Sequence, residues 1–488
     1  MIVKTDKDII KNYFEDSSNL QGGHADKLVV PENPEELAVF LREANSSKTP
    51  VTISGGGTGT TGSRIPFGGA VISTERLNKI IEISPSRMSA VVEPGVLVEE
   101  LKSAAEREGL FYTSHPTEKM ASVGGTVATN ASGSRSFRYG PTRIYVTRLK
   151  MILADGEAFD IRRGRFIVKS NSYGINPGGG ERRITIPLPA YKMPDVKNAA
   201  GYYAKYGMDL IDLFIGQEGT LSVITEIEMG LVKKPAGIFS AFVFFKEEED
   251  AWMFSQEAKN GHAANLLSIE YFDSNSLELL KTKNSNVPAG MKAAIFFEQE
   301  TAQGEADRVI AFWEDMIGRH GARLEDTWAA MNEKDAELFT GLRYAVPESV
   351  NEIIKESGLQ KFSTDIAVPG GRLLEMMRFY VDSLKGSGLR HLIFGHIGEN
   401  HLHVNLLPGT ALEAERAREL SLLFVRKGVS LGGTVSAEHG IGKMKHKYLE
   451  EMYGRNGIME MARIKKALDP NCILGLDNIF PKELLKGV

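Results

Sequence analysis

The sequence predicts an α+β fold with at least two domains, and three observations predict it. A chain of 488 residues is too long for one hydrophobic core. Short β-branched segments alternate with amphipathic helical stretches through about residue 230. From about residue 236 longer apolar strands alternate with helices, which reads as a second α+β domain around an antiparallel sheet. The expected units are 1–235, 236–415 and 416–488. The last is a mostly helical segment that carries a histidine-bearing loop back onto the first domain and closes on Asp469-Pro470-Asn471.

The elements follow in order. Asn33-Pro34-Glu35-Glu36 opens a helix: Asn33 can cap, Pro34 suits the first turn and Glu36 can reach back. Leu37, Phe40, Leu41 and Ala44 give it one apolar stripe. Val51-Thr52-Ile53 reads as a strand entering the loop Gly55-Gly56-Gly57-Thr58-Gly59-Thr60-Thr61-Gly62. Leu97, Leu101, Ala104 and Ala105 mark a second helix, ended by Gly109. Residues 162–197 break the texture, with eight basic residues, two acidic ones, four prolines and Gly178-Gly179-Gly180. This segment reads as an inserted surface flap, or as a docking patch for an acidic partner. Phe239–Phe245 reads as a strand, a helix follows near 248–260, and further strands fall near 292–298 and 390–396.

Composition narrows the function. A net charge of -5 argues against nucleic acid as a partner. A single cysteine, Cys472, leaves no internal disulfide and no cysteine-held iron–sulfur cluster. No apolar run reaches the roughly 18 residues of a membrane span, and the N-terminus lacks a signal-peptide core, so a cytoplasmic protein is expected.

The 50 glycines cluster. The Gly55–Gly62 loop offers free N–H groups after a strand, and by itself reads either as a structural turn or as a phosphate cradle. It lacks a Walker lysine and a Gly-x-Gly-x-x-Gly context. A second stretch rich in Gly, Ser, Thr and Asn, Ala121–Gly133, suggests a long ligand lying between the two.

Four of the ten histidines fall in Gly395–Asn405 and Ser436–Gly442. Leu389–Phe394 and His401–Leu406 read as two strands joined by a turn at Gly398-Glu399-Asn400. The two-residue strand period then puts His401, His403 and Asn405 on one face, with His396 across the turn. Imidazoles beside a carboxylate, here Glu438, bind a divalent metal or move a proton. The alternative is a set of interior histidines with satisfied hydrogen bonds.

In combination these pieces resemble the vanillyl-alcohol-oxidase-type flavoproteins, which bind FAD in a two-part α+β domain of PCMH type. The matching segments are Gly55-Gly56-Gly57-Thr58-Gly59, Glu93-Pro94-Gly95, 121–133 with Tyr139-Gly140, and Asp212–Leu221. The resemblance implies that the glycine loop holds the FAD pyrophosphate, that 121–133 lines the flavin and ribityl chain, and that 212–221 backs the adenine half. The implied FAD contacts are Gly55, Gly56, Gly57, Thr58, Gly59, Thr60, Pro116, Thr117, Ser122, Gly124, Gly125, Thr129, Asn130, Gly133, Glu218, Gly219 and Ile224. The 54–63 loop has no His or Cys, so FAD is expected to be non-covalent, with His115 the nearest group that could attach it.

His396-Ile397-Gly398-Glu399-Asn400-His401-Leu402-His403 further resembles the pattern of the D-2-hydroxyacid dehydrogenases: D-lactate dehydrogenase, glycolate oxidase and D-2-hydroxyglutarate dehydrogenase. That resemblance implies His396, His403 and Glu438 as ligands of a divalent metal (zinc, manganese or iron), His439 as the base and Asn405 at the substrate. It also implies Arg343 as the carboxylate-binding group, which suits a planar guanidinium. Glu399, Asn400 and His401 depart from the usual Asp, Gly and Asn. A substrate-contacting lysine is usual two residues before the Asp365–Pro369 strand, where this chain has Ser363, and Lys361 is displaced.

The expected reaction is oxidation of a D-2-hydroxy acid to the 2-oxo acid, with electrons leaving to a partner protein or quinone. The protein would be a homodimer or bear a partner subunit, peripheral to a membrane at most. The alternatives are an alkyl-dihydroxyacetonephosphate-synthase-like FAD enzyme without net oxidation, and an FAD electron-transfer subunit. The intact Ala437-Glu438-His439-Gly440 favours hydroxyacid oxidation.

Overall fold

The structure is a computed structural model that describes residues 1–488 except 115–117, 263–264 and 303. Pro116, Thr117 and His115 therefore lie outside the described residues.

A four-stranded sheet comes first. Lys27–Val30, Ala70–Ser73 and Val51–Ser54 run parallel, and Ile2–Lys4 joins the outer edge antiparallel. Helix Pro34–Ser47 covers it, because Leu37, Phe40, Leu41 and Ala44 share one face and pack against Val29, Val51 and Ile72. Asn33 caps that helix by accepting from Glu36 N at 2.9 Å. The Glu36 carboxylate reaches past Asn33 and accepts from Glu32 N at 2.9 Å. The C-terminal segment returns here, with Val51 N donating to Ile473 O at 2.7 Å.

A second sheet is wholly antiparallel, in the order Ile80–Ser84, Ser89–Val92, Val223–Gly230, Val146–Ile152, Ala158–Arg162. Helix Val98–Arg107 buries Leu101, Ala104 and Ala105, with Leu97 as its N-cap. The Gly55–Gly62 loop leaves the end of strand Val51–Ser54, and the short helix Val123–Thr129 packs against strand Val223–Gly230, capped by Ser122, whose Oγ accepts from Gly125 N at 3.2 Å.

The 162–197 segment is more ordered than a surface flap. It forms a hairpin of Ser172–Ile175 and Ile184–Pro187. Ile175, Ile184 and Ile186 are buried at the strand period, in the core shared with Ile458, Met461 and Ala462 of helix His446–Leu468. Much of its positive charge is neutralised within the chain: Arg162 by Glu228, Arg163 by Asp212, Arg182 by Asp155 and Lys197 by Glu399 and Glu438.

The second half is built on an antiparallel sheet in the order Trp328–Ala329, Gly237–Phe245, Ala293–Thr301, Leu266–Asp273, His391–Gly395, His401–Leu406, Phe362–Ser363, with Ile366–Ala367 also paired to His401–Leu406. Its strands are apolar on both faces for a specific reason. Ala241, Val243 and Phe245 share a core with Phe254 and Trp313 of helices Glu248–His262 and Ala306–Arg319. Phe242 and Phe244 share a separate core with Phe339 and Val346 of helix Glu333–Ser357. Side chains alternate across a strand, so a sheet covered on both sides reads as a continuous apolar run. The last part carries helices Ala411–Ser430 and His446–Leu468, and the irregular stretch between them holds Ser436–Gly442. Among the described residues no helix is long and apolar enough to cross a membrane.

Candidate active site

Strands His391–Gly395 and His401–Leu406 pair antiparallel with Phe394 opposite His403. The turn between them is a short 3-10 helix, Ile397–Glu399, closed by Asn400 at φ 55°. Gly395 makes the pairing possible: a Cβ there would lie 2.9 Å from the His403 ring. The three imidazoles cluster as a result. Ring centroids are 5.2 Å apart for His396 and His401, 5.5 Å for His396 and His403, and 4.6 Å for His401 and His403.

Glu438 completes the group from the irregular stretch between helices Ala411–Ser430 and His446–Leu468. Its Oε2 lies 3.2 Å from His396 Nε2 and 3.9 Å from His403 Nε2. The far nitrogen of each ring is occupied. His396 Nδ1 donates to Glu270 Oε1 at 2.6 Å, and His403 Nδ1 donates to Thr364 O at 3.2 Å. Both rings thus turn Nε2 toward the same carboxylate oxygen, the arrangement in which imidazoles ligate an ion. One nitrogen each from His396, His401 and His403 and one oxygen of Glu438 lie within 4.8 Å of one another.

The charges around this point act on one another strongly. Burial opposes charge on His396, but Glu270 and Glu438 outweigh it and push its pKa up to about 9. Glu438 is held well below the usual carboxylate range, because His396 and Lys197 outweigh its burial. Lys197 Nζ donates to Glu438 Oε1 at 2.5 Å and to Glu399 Oε2 at 2.6 Å, so Oε1 is engaged and Oε2 is left facing the imidazoles.

Asp365 is a second hub, at the kink between Phe362–Ser363 and Ile366–Ala367. Fully buried, it accepts from Ser436 Oγ at 2.6 Å, His439 N at 2.8 Å and Lys445 Nζ at 3.2 Å. Burial disfavours its charge, yet His439, Lys445 and His401 hold its pKa well below the usual carboxylate range. His439 Nδ1 lies 3.5 Å from Asp365 Oδ2, and its ring stacks on His403 at 5.1 Å. Burial, assisted by Lys445 and opposed by Asp365, pushes the His439 pKa down to about 4, so the ring is neutral at neutral pH.

One cavity of about 310 Å³ joins these groups to the glycine loops. Gly55, Gly56, Gly57, Thr58, Gly59, Thr60, Ser122, Gly124, Gly125, Thr129, Gly133, Glu218, Gly219 and Ile224 line it, together with Arg343, His396, His403, Asn405, Glu438 and His439. Asn130 stands outside the wall; its Oδ1 accepts from Arg143 N at 3.0 Å. Glu218 reaches the cavity but its carboxylate is engaged, accepting from Ser63 Oγ, Ile441 N and Gly442 N at 2.7–2.8 Å. It thereby ties the His439 loop to the glycine loop. A Cβ on Gly56 would lie 2.1 Å from Met120 O, so the loop backbone can sit against 120–122 only as glycine. Thr60 Oγ1 and Ser132 Oγ are buried, line the same cavity and lack hydrogen-bond partners among the described residues, as groups awaiting a polar ligand do.

At the other end, the Arg343 guanidinium is buried and its Nη2 lies 3.3 Å from Glu270 Oε2. Glu270 thus joins the arginine to His396. Asn405 Nδ2 is buried without a hydrogen-bond partner among the described residues. Lys361 lines the cavity with Ser363, two residues on along the same strand edge, and Lys361 Nζ donates to Asn351 Oδ1 at 2.8 Å. Burial, with Lys445 adding, pushes the Lys361 pKa down to about 8.

Three groups central to this geometry, Glu270, Asp365 and Lys197, were not assigned a role from sequence. Two left a signal. Glu270 sits in Leu266–Asp273, a strand buried throughout, where a carboxylate needs a partner. Asp365 stands between two short apolar strand segments. Lys197 left none, since it belongs to a segment rich in exposed positive charge.

Two family profiles match the chain: "FAD binding domain" over residues 25–162, and "FAD linked oxidases, C-terminal domain" over residues 234–476. The chain belongs to the FAD-linked oxidases, flavoenzymes with a PCMH-type FAD-binding fold. Within them it is similar to glycolate oxidase subunit GlcD of Bacillus subtilis, at 28% identity over 98% of this chain and 93% of that one. D-lactate dehydrogenase of Archaeoglobus fulgidus is 29% identical over 93% and 91%. D-2-hydroxyglutarate dehydrogenase of Stutzerimonas stutzeri is 26% identical over 98% and 96%. The fold is shared with 4-ethylphenol oxidase from Gulosibacter chungangensis, at TM-score 0.70 and 19% identity over 99% of this chain and 95% of that one.

Proposed function

We propose that this flavoenzyme oxidises a D-2-hydroxy acid of the lactate, glycolate or 2-hydroxyglutarate class to the 2-oxo acid, assisted by a divalent metal. One observation carries the reading: the cavity that runs between the glycine loops ends on His396, His403, Glu438, His439 and Arg343. The names of the similar proteins fit it.

Oxidation of a 2-hydroxy acid removes a proton from the hydroxyl and a hydride from the α-carbon. FAD, when bound non-covalently along Gly55–Thr60 and 122–133, supplies the hydride acceptor, and a divalent ion on His396, His403 and Glu438 supplies a Lewis acid for the hydroxyl. The donor set suits such an ion, because two Nε2 lone pairs and one carboxylate oxygen converge while Glu270 and Thr364 hold the rings in that tautomer. Arg343 takes the substrate carboxylate, as a planar two-pronged donor does. Asn405 donates from Nδ2 to the same substrate. His439, neutral and with Nδ1 turned to Asp365, takes the hydroxyl proton on Nε2. Lys197 positions Glu438 by donating to its other oxygen, and Glu399 holds Lys197 in place by accepting from the same ammonium. Electrons then leave to an external acceptor, a protein or a quinone, since one cysteine cannot hold an iron–sulfur cluster.

The test is an anaerobic titration of the yellow, metal-loaded protein with paired D- and L-2-hydroxy acids. D-substrates should bleach the flavin and L-substrates should not. If no hydroxy acid reduces it, the reading fails.

A further inference from the structure

We infer that His401 is a fourth protein ligand of the ion at this site, which would make the donor set three imidazoles and one carboxylate. The inference rests on the metal-assisted reading above and extends it to the identity of the metal.

His401 has no accessible surface. An imidazole buried for packing alone normally has its nitrogens paired, because an unpaired buried polar group costs about 1–3 kcal/mol. Among the described residues neither nitrogen of His401 has a hydrogen-bond partner of good geometry. Its Nε2 lies 2.9 Å from Asp365 Oδ1 without hydrogen-bond alignment, while Ser436, His439 and Lys445 all bond the other oxygen, Oδ2. The ring nevertheless repeats the pattern of its neighbours. His396 turns one nitrogen to Glu270 and His403 turns one to Thr364 O, and His401 turns one to Asp365. In each ring that leaves the second nitrogen over. One nitrogen of His401 is in the group that lies within 4.8 Å together with those of His396 and His403 and an oxygen of Glu438.

The consequence is a choice of ion. A catalytic zinc site keeps three protein ligands and one open position. Four protein ligands around a tetrahedral ion would leave nowhere for a substrate hydroxyl. Three imidazoles and a carboxylate instead suit an ion that takes five or six ligands, such as manganese, iron or cobalt, with positions left for the hydroxyl and carboxylate oxygens of the substrate.

The test counts nitrogens and does not measure turnover. The flavin-loaded protein is loaded with Mn(II), and pulsed EPR counts the directly bound imidazole nitrogens. Three are expected in the wild-type protein and two in His401→Asn. The variant should also weaken Mn(II) binding by at least about tenfold in competition with a chelator, with its flavin absorbance retained. Two imidazoles in the wild-type protein would overturn the role of His401 and leave the metal reading standing. No bound Mn(II), with none of zinc, iron or cobalt retained either, would overturn both. If His401→Asn does not fold, the wild-type count decides alone.

Discussion

The two ends of the cavity are built on different principles. The end between Gly55–Gly62 and 121–133 is made of backbone: glycines, a short capped helix, and hydroxyls on Thr60, Ser122 and Ser132. The end at His396–His439 is made of titratable side chains brought from five parts of the chain, around residues 197, 270, 365, 396 and 438. Backbone donors stay in place whatever the pH, and local sequence provides them. Titratable groups work only when each has the right partner. Glu270, Asp365 and Lys197 are those partners, 126, 74 and 241 residues from the groups they hold. The difference implies that the flavin half and the chemical half can be damaged separately.

The largest separation is expected from the histidine end. His403→Ala or Glu438→Gln should slow flavin reduction by hydroxy acid by about 10³-fold, which corresponds to roughly 4 kcal/mol of transition-state stabilisation. Bound flavin, read by its visible absorbance, should be unchanged. Loss of flavin along with rate would break the comparison. The reverse case is Gly56→Val. Its Cβ would stand 2.1 Å from Met120 O, so the loop must shift. This variant should purify largely colourless while still taking up metal in a chelator assay.

Smaller effects sharpen the chemical half. Glu270→Gln leaves the His396 hydrogen bond with a neutral acceptor and removes the counter-charge of Arg343. Metal affinity should fall by about 10- to 100-fold, measured by chelator competition. Arg343→Lys keeps the charge but loses the planar fork, and KM should rise by about tenfold with a smaller change in kcat. A KM that did not move would remove Arg343 from the substrate.

The smallest effect is one of pH. A pKa lowered to about 4 means that His439 loses its proton at lower pH than an ordinary imidazole. It is therefore a competent base throughout the range above that value and is lost only as pH falls through it. The acid limb of kcat/KM should lie well below the usual histidine value of about 6.5. A limb near 6.5 would show that His439 is solvated, or that another group is the base.

Much of this was legible in the sequence, for reasons that vary by element. The helix at Pro34–Ser47 was, because its cap and stripe are local. The pairing of the strands around His396 and His403 was, because a two-residue period and a short turn leave few registers. The hairpin at Ser172–Ile175 and Ile184–Pro187 was not. Its alternating isoleucines are few, and basic residues and prolines mask them; they find something to bury against in a core that includes Ile458, Met461 and Ala462 of helix His446–Leu468, distant in sequence. Lys197 shows the same limit from the other side, since its charge suggested solvent and its position is buried. Glu218 shows a third kind of limit. Its motif pointed to the ligand, whereas its carboxylate holds the backbone of Ile441 and Gly442.

By itself, then, the sequence determined the α+β class, the glycine-rich loops and the clustering of histidines with a carboxylate. These depend on side-chain period, glycine spacing and residue chemistry, all of which are written locally. Only the tertiary structure decided which oxygen of Glu438 faces the imidazoles, which nitrogen each histidine turns inward, and that His439 is neutral. Those properties arise from burial and from charges that meet in space, and no local stretch of chain contains them.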